Sequence, residues 1–119
     1  MIKTIAFLKR KAGMSQAAFE DYYETRHAPL ILSIAPQVME YRRNFLRSDG
    51  AIVMPGLPAL DFDVVTELWY ADEAAYAAAL AAFTDPVNAR RIAEDEENVF
   101  DRAHTRFYLV DERRSPPRR

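Results

Sequence analysis

His27 closes the run Phe19-Glu20-Asp21-Tyr22-Tyr23-Glu24-Thr25-Arg26-His27-Ala28-Pro29-Leu30, and its type and address suit chemistry. An imidazole titrates near neutral pH, and the 119 residues hold only two histidines, so proton transfer has few other places to live. At a helix end, beside an aromatic wall to which Tyr23 belongs, it is placed to exchange a proton with a bound carbonyl or lactone. The same address also suits a histidine that merely satisfies the last helical carbonyls. A helix C-terminus favours the charged imidazole and burial the neutral one, so its state stays open at this level.

Arg43, Glu67 and Trp69 are the other candidates for binding a substrate. Arg43 has the forked geometry that holds a carboxylate, with a surface ion pair as the plain alternative. Glu67 and Trp69 alternate onto one face of the same expected strand, lining either a pocket wall or a subunit contact. A carboxylate on a covered face needs a partner, for which His27, Arg43 and Arg106 are available, and a His–Glu pair would raise the basicity of the imidazole. His104 lies near Asp95, Glu96, Glu97 and Asp101. That group has no recognised ligand spacing and reads as a solvated acidic corner, so no metal is expected.

The elements that must position these residues follow from periodicity and punctuation. Residues 2–9 alternate as a strand, and Arg10 to Gly13 form a turn. Ser15 caps a helix over about 16–27, in which Phe19, Tyr22, Tyr23 and Arg26 recur on one face. Pro29 disfavours helical geometry at Ala28, so the helix is expected to end near His27, with a short turn through 30–34. Val38–Arg47 reads as a second strand with Met39, Tyr41, Arg43 and Phe45 on one face. Ser48–Asp61, punctuated by Gly50, Pro55, Gly56 and Pro58, is a long connection of the kind that serves as a flap, binding loop or oligomer contact.

Phe62–Tyr70 is a third strand whose Phe62, Val64, Thr66, Leu68 and Tyr70 form the helix-covered face. Asp72 caps an alanine-rich helix over Glu73–Phe83. Asp85-Pro86 opens another that runs to about Glu97, proline being tolerated at a first helical position. His104–Asp111 is the last strand. The order β-α-β-β-α-β predicts an α+β, ferredoxin-like, four-stranded antiparallel sheet with helices on one face. With Tyr41, Phe45 and Trp69 assigned to the open face, a second copy is expected to cover it, giving a homodimer.

Composition narrows the class. The chain is 50% apolar and 29% charged, a globular balance without an apolar run long enough to span a membrane. Its start is too short and too charged for a signal peptide, which points to a cytoplasmic protein. A net charge of −2 gives no electrostatic case for nucleic acid, and the absence of cysteine removes disulfides and thiolate chemistry. Residues 1–112 are expected to form one domain, and 113–119, with Arg113, Arg114, Pro116 and Pro117, a disordered basic tail.

Two stretches carry a family resemblance. The first comprises Lys9-Arg10-Lys11-Ala12-Gly13-Met14-Ser15 and then Phe19, Tyr22, Tyr23 and His27-Ala28-Pro29-Leu30. The second comprises Phe62–Tyr70 and Asp95-Glu96-Glu97-Asn98-Val99-Phe100-Asp101. Together they resemble the EthD family over nearly the whole chain except the arginine tail. The resemblance implies a dimeric α+β barrel of two face-to-face sheets, each subunit keeping a pocket between sheet and helices. It further implies cofactor-free work on a small molecule: lactone isomerisation, polyketide dehydration, degradation of an ethyl tert-butyl ether additive, or monooxygenation as in neighbouring barrel families. The lactone isomerases pair a helix-end histidine with a tyrosine on the second strand, which carries over to His27 and Tyr41 as the catalytic pair, the phenol hydrogen-bonding a developing oxyanion. Those isomerases also use pocket cysteines, which this chain lacks.

Overall fold

The computed structural model describes residues 1–118. Four strands, β1 (Ile2–Leu8), β2 (Glu40–Phe45), β3 (Val64–Tyr70) and β4 (Arg106–Leu109), form one antiparallel sheet in the order β2-β3-β1-β4. The helices α1 (Gln16–Tyr22), α2 (Ala28–Ile34), α3 (Glu73–Thr84) and α4 (Pro86–Glu96) cover one face. This is the expected α+β, ferredoxin-like arrangement.

Helix starts follow the caps read from the sequence. Ser15 Oγ accepts from the Ala18 amide at 3.1 Å, Asp72 from Ala75 at 2.8 Å and Asp85 from Asn88 at 3.2 Å, each satisfying an amide that lacks an intrahelical partner.

The first helix does not stop at Pro29. Tyr23–His27 widen into a π-helical turn in which the Ala28 amide bonds to the Tyr23 carbonyl, and α2 follows directly. Ala28 is in ordinary right-handed helical conformation (φ −61°, ψ −44°), against the expected break. Pro29 sits in the first turn of α2, where its missing N–H is least costly, and the widened turn absorbs the disruption that a proline inside a regular helix would cause. His27 is therefore inside a continuous helical rod, and the expectation of a helix C-terminus acting on it does not hold.

The sheet register sorts residues onto its faces. Thr4, Ala6 and Leu8 of β1 and Val64, Thr66, Leu68 and Tyr70 of β3 are buried under the helices. Tyr41 lies opposite Leu68, and Phe45 opposite Val64, so both are on the helix-covered face. Their expected place on the open face is corrected. Phe45 packs on Phe19 and Tyr23 with ring centroids 6.0 and 5.7 Å away, because β2 is an edge strand whose alternate side chains close the flank of the core.

The open face carries Lys3, Ile5, Phe7, Arg42, Asn44, Val65, Glu67, Trp69 and Tyr108. Between β2 and β3, Ile52, Val53, Met54, Leu57 and Leu60 are exposed, Ile52 by 94%. Residues 113–118 are exposed and form neither helix nor strand; Arg119, the last residue of the expected tail, lies outside the described residues.

Candidate active site

Between the α1–α2 rod, α3, α4 and the sheet lies a cavity of about 360 Å³. Its walls are largely apolar, including Ile31, Leu68, Leu80, Phe83 and Ile92. The polar groups His27, Tyr23, Tyr41, Thr66 and Glu96 also line it, with Arg102 and Phe107. The widened turn brings His27 and Tyr23 to the same wall, and their rings meet edge to face at 5.2 Å. Phe100 stands edge to face to the imidazole at 5.0 Å, so two aromatic rings fix its orientation.

His27 is buried, and its Nδ1 is 2.8 Å from Oδ2 of Asp95 on the last turn of α4. Oδ1 of the same carboxylate accepts the Tyr22 hydroxyl at 2.7 Å, and Asn98 Nδ2 donates to that hydroxyl at 3.1 Å. A carboxylate only accepts, so Nδ1 carries the proton and Nε2 is left with its lone pair. Nε2 makes no hydrogen bond among the described residues and lies 4.0 Å from Oε2 of Glu96. Burial holds the imidazole pKa below the usual histidine value, and the Asp95 carboxylate opposes this in part.

A second polar cluster runs across the cavity floor. The Tyr23 hydroxyl is 2.7 Å from Thr66 Oγ1 and 2.8 Å from the Tyr41 hydroxyl. Burial pushes Tyr23 up to about 12 and Tyr41 well above the ordinary phenol value. Both stay protonated, so they serve as hydrogen-bond donors rather than bases.

Of the residues singled out from the sequence, His27, Tyr41 and Tyr23 come together on the cavity wall, and Arg43, Glu67 and Trp69 do not join them. Arg43 shares the helix-covered face with Tyr41 but is clamped to Glu24 through Nε at 2.7 Å and Nη2 at 2.9 Å. Its fork is therefore spent on a flank ion pair. Glu67 and Trp69 are on the opposite side of the sheet. The partner of Glu67 is Lys3, 2.6 Å away, with Asn44 Nδ2 donating at 3.0 Å, and none of the three partners expected from the sequence. Lys3 Nζ also sits 4.6 Å from the centre of the Trp69 ring.

Asp95 and Glu96, whose acidic surroundings in sequence suggest a solvated corner, belong to the site. Their side chains are 15% and 14% exposed, which places them inside the fold. His104 approaches Asp101 at 3.1 Å and Asp61 at 3.9 Å, and among the described residues no three ligating side chains converge as a metal site. No residue of the 48–61 connection lines the cavity.

The sheet order, the helix-covered face and the cavity between sheet and helices define a ferredoxin-like α+β protein with a small-molecule-sized pocket. The EthD domain model matches residues 11–103, and the chain belongs to the EthD family. No curated protein matches it. A cofactor-independent oxygenase from Streptomyces nogalater, SnoaB, is similar in structure with a TM-score of 0.61 and 16% identity, covering 98% of this chain and 97% of its own. A hydroxynitrile lyase from Passiflora edulis gives a TM-score of 0.56 and 17% identity, with 96% of each chain covered. A dimeric ferredoxin-like protein of unknown function from Thermobifida fusca gives 0.55 and 16%, over 92% of this chain and 88% of its own. At these identities the likeness is one of fold. Among the described residues no helix is long and apolar enough to cross a membrane.

Proposed function

We propose that the protein is a cofactor-independent enzyme that moves protons on a small, mostly apolar molecule, with His27 as the base. The carrying observation is the buried imidazole, held at Nδ1 by Asp95 at 2.8 Å, with Nε2 unbonded at a cavity wall. Asp95 fixes the tautomer, and the lowered pKa keeps the ring neutral and ready to accept a proton near pH 7. Tyr41 is the partner: its hydroxyl is 2.8 Å from that of Tyr23, which is 2.7 Å from Thr66 Oγ1, and in the orientation in which Thr66 donates to Tyr23 and Tyr23 to Tyr41 the Tyr41 proton is free for a developing oxyanion. Tyr23 forms the wall between the two groups. Proton removal beside a carbonyl, with the enolate oxygen on Tyr41, leads to isomerisation or to loss of a β-hydroxyl.

A second reading, cofactor-free monooxygenation of a quinol-like substrate, starts with the same proton removal. The apolar walls favour it, since they keep water from a reactive carbanion. A third is a non-catalytic protein that holds an intermediate for an oxygenase.

The open sheet face fits a second copy, which agrees with the dimeric neighbour from Thermobifida fusca. Ile5, Phe7 and Trp69 are only half-buried there, and the Trp69 indole N–H has no partner among the described residues.

The test is turnover and binding of a panel of lactones, β-hydroxy ketones and hydroquinones by wild-type protein and His27→Ala, with oxygen uptake recorded. The proposal expects turnover without cofactor, lost by at least about 10²-fold in the variant while binding persists. Oxygen uptake with a hydroquinone selects the second reading. Binding without turnover by the wild type selects the third, and turnover unchanged in the variant removes His27 from the chemistry.

A further inference from the structure

We infer that Glu96 is the second proton-transfer group of this cavity, delivering a proton to a departing hydroxyl after His27 has removed one from the neighbouring carbon, so that the site takes a neutral β-hydroxy carbonyl compound. This rests on the acid–base reading of His27.

The consecutive carboxyls of α4 meet opposite edges of one imidazole. Asp95 takes Nδ1 at 2.8 Å, and Glu96 stands off Nε2 at 4.0 Å. The first distance is a hydrogen bond and the second is a gap. Nε2 and Oε2 are close enough for one bound molecule to reach both, because a point about 2.8 Å from each atom exists between separations of zero and twice that length. Adjacent positions of one substrate, a C–H and the hydroxyl on the next carbon, span such a gap.

Glu96 is largely covered, and its other oxygen, Oε1, lies 3.4 Å from Arg102 Nε. The charged and titratable groups around it are His27 from the widened turn, Arg102 from the 3₁₀ turn Arg102–His104, Tyr41 from β2, and Asp95 and Glu97 on its own helix. Burial dominates and raises its pKa, Asp95 and Glu97 push the same way, and Arg102 opposes. Arg102 is 45% exposed and shares its charge with Glu97 at 3.2 Å, so solvent screens its pull. The remaining walls, among them Leu68, Phe83 and Ile92, offer no charge to a charged substrate.

The reaction balances without any oxidant or reductant. Nε2 takes the α proton and the C–H electron pair passes into an enolate whose oxygen Tyr41 holds; as the carbonyl re-forms, that pair becomes the new C=C bond and the C–O bond breaks. The departing oxygen takes the Glu96 proton and leaves as water. An imidazolium and a carboxylate remain, 4.0 Å apart, and proton return through one water restores both.

The test uses 4-hydroxy-4-phenylbutan-2-one in D₂O, with α-proton exchange followed by proton NMR and dehydration by absorbance, for wild-type protein, Glu96→Gln and His27→Gln. The expected result is that Glu96→Gln loses dehydration by about 10²-fold or more and keeps α-proton exchange within a few-fold, exchange also reporting an intact fold. His27→Gln loses both. Dehydration unchanged in Glu96→Gln, or exchange lost together with dehydration, overturns the role of Glu96 while leaving the base reading in place. Exchange retained in His27→Gln overturns that reading itself, and wild-type protein that neither exchanges nor dehydrates the ketone overturns the substrate class.

Discussion

Asp95 Oδ2 lies 2.8 Å from His27 Nδ1, across 68 residues of sequence, and so ties the widened turn of the first helical rod to the last turn of α4. The contact does two things at once. It chooses the tautomer, and it leaves the opposite nitrogen to the cavity.

Replacing Asp95 with Asn removes the acceptor that holds the Nδ1 proton. The amide can donate to Nδ1 and so favour the wrong tautomer, the change that cripples an otherwise intact histidine base. We expect kcat to fall by about 10²-fold or more on any substrate that depends on His27, with KM changed little. Steady-state kinetics of Asp95→Asn beside wild type decide it.

Stability should depend on the protonation of His27 with a definite sign. Its folded-state pKa lies below the unfolded value of 6.5, so the unfolded chain binds the proton first as pH falls. The contribution is fully present above about pH 6.5 and is lost as pH drops from there through the lower folded-state pKa. Urea midpoints measured from pH 7.5 down to pH 5 should therefore fall more steeply for wild type than for His27→Gln. Parallel slopes would show that burial of this imidazole carries no such linkage.

How much of this was legible in the sequence depends on the range of each interaction. The caps Ser15, Asp72 and Asp85 and the buried face of β3 are local or strictly alternating, and the structure reproduces them. Pro29 misled because local steric preference ends a helix there, whereas one extra residue per turn at Tyr23–His27 lets the rod continue. The face of Tyr41 is not legible from alternation, because neither face of β2 is uniformly apolar and its burial comes from Tyr23, 18 residues earlier. Asp95 and Glu96 were hidden for a related reason. An acidic helix end looks solvated until the tertiary fold presses it against an imidazole.

Tyr23 couples the site to the core. Tyr23→Phe leaves Thr66 Oγ1, in a buried residue, and the Tyr41 hydroxyl without their shared partner. A loss of about 1–3 kcal/mol in unfolding free energy by urea titration is expected. Arg43→Met breaks the pair with Glu24 and also the Nη1 hydrogen bond to the Tyr41 carbonyl at 3.0 Å, and should cost about 1–2 kcal/mol.

The open sheet face supplies a separate prediction. Trp69→Glu places a carboxylate beside Glu67 on the half-buried apolar surface that also holds Ile5 and Phe7. Sedimentation velocity at micromolar concentration should find a dimer for wild type and a monomer for the variant. A monomeric wild type would contradict the face-to-face arrangement.

His27 at rest is a neutral ring with the proton on Nδ1 and an open Nε2, and ¹⁵N NMR of histidine-labelled protein reads this directly. With only two histidines in the chain, His27→Gln assigns the signals. At pH 7 the His27 signals are expected to show a protonated Nδ1 and an unprotonated Nε2, a preference that Asp95→Asn removes. A His27 that is doubly protonated at pH 7, or that carries its proton on Nε2, would rule out its role as the base.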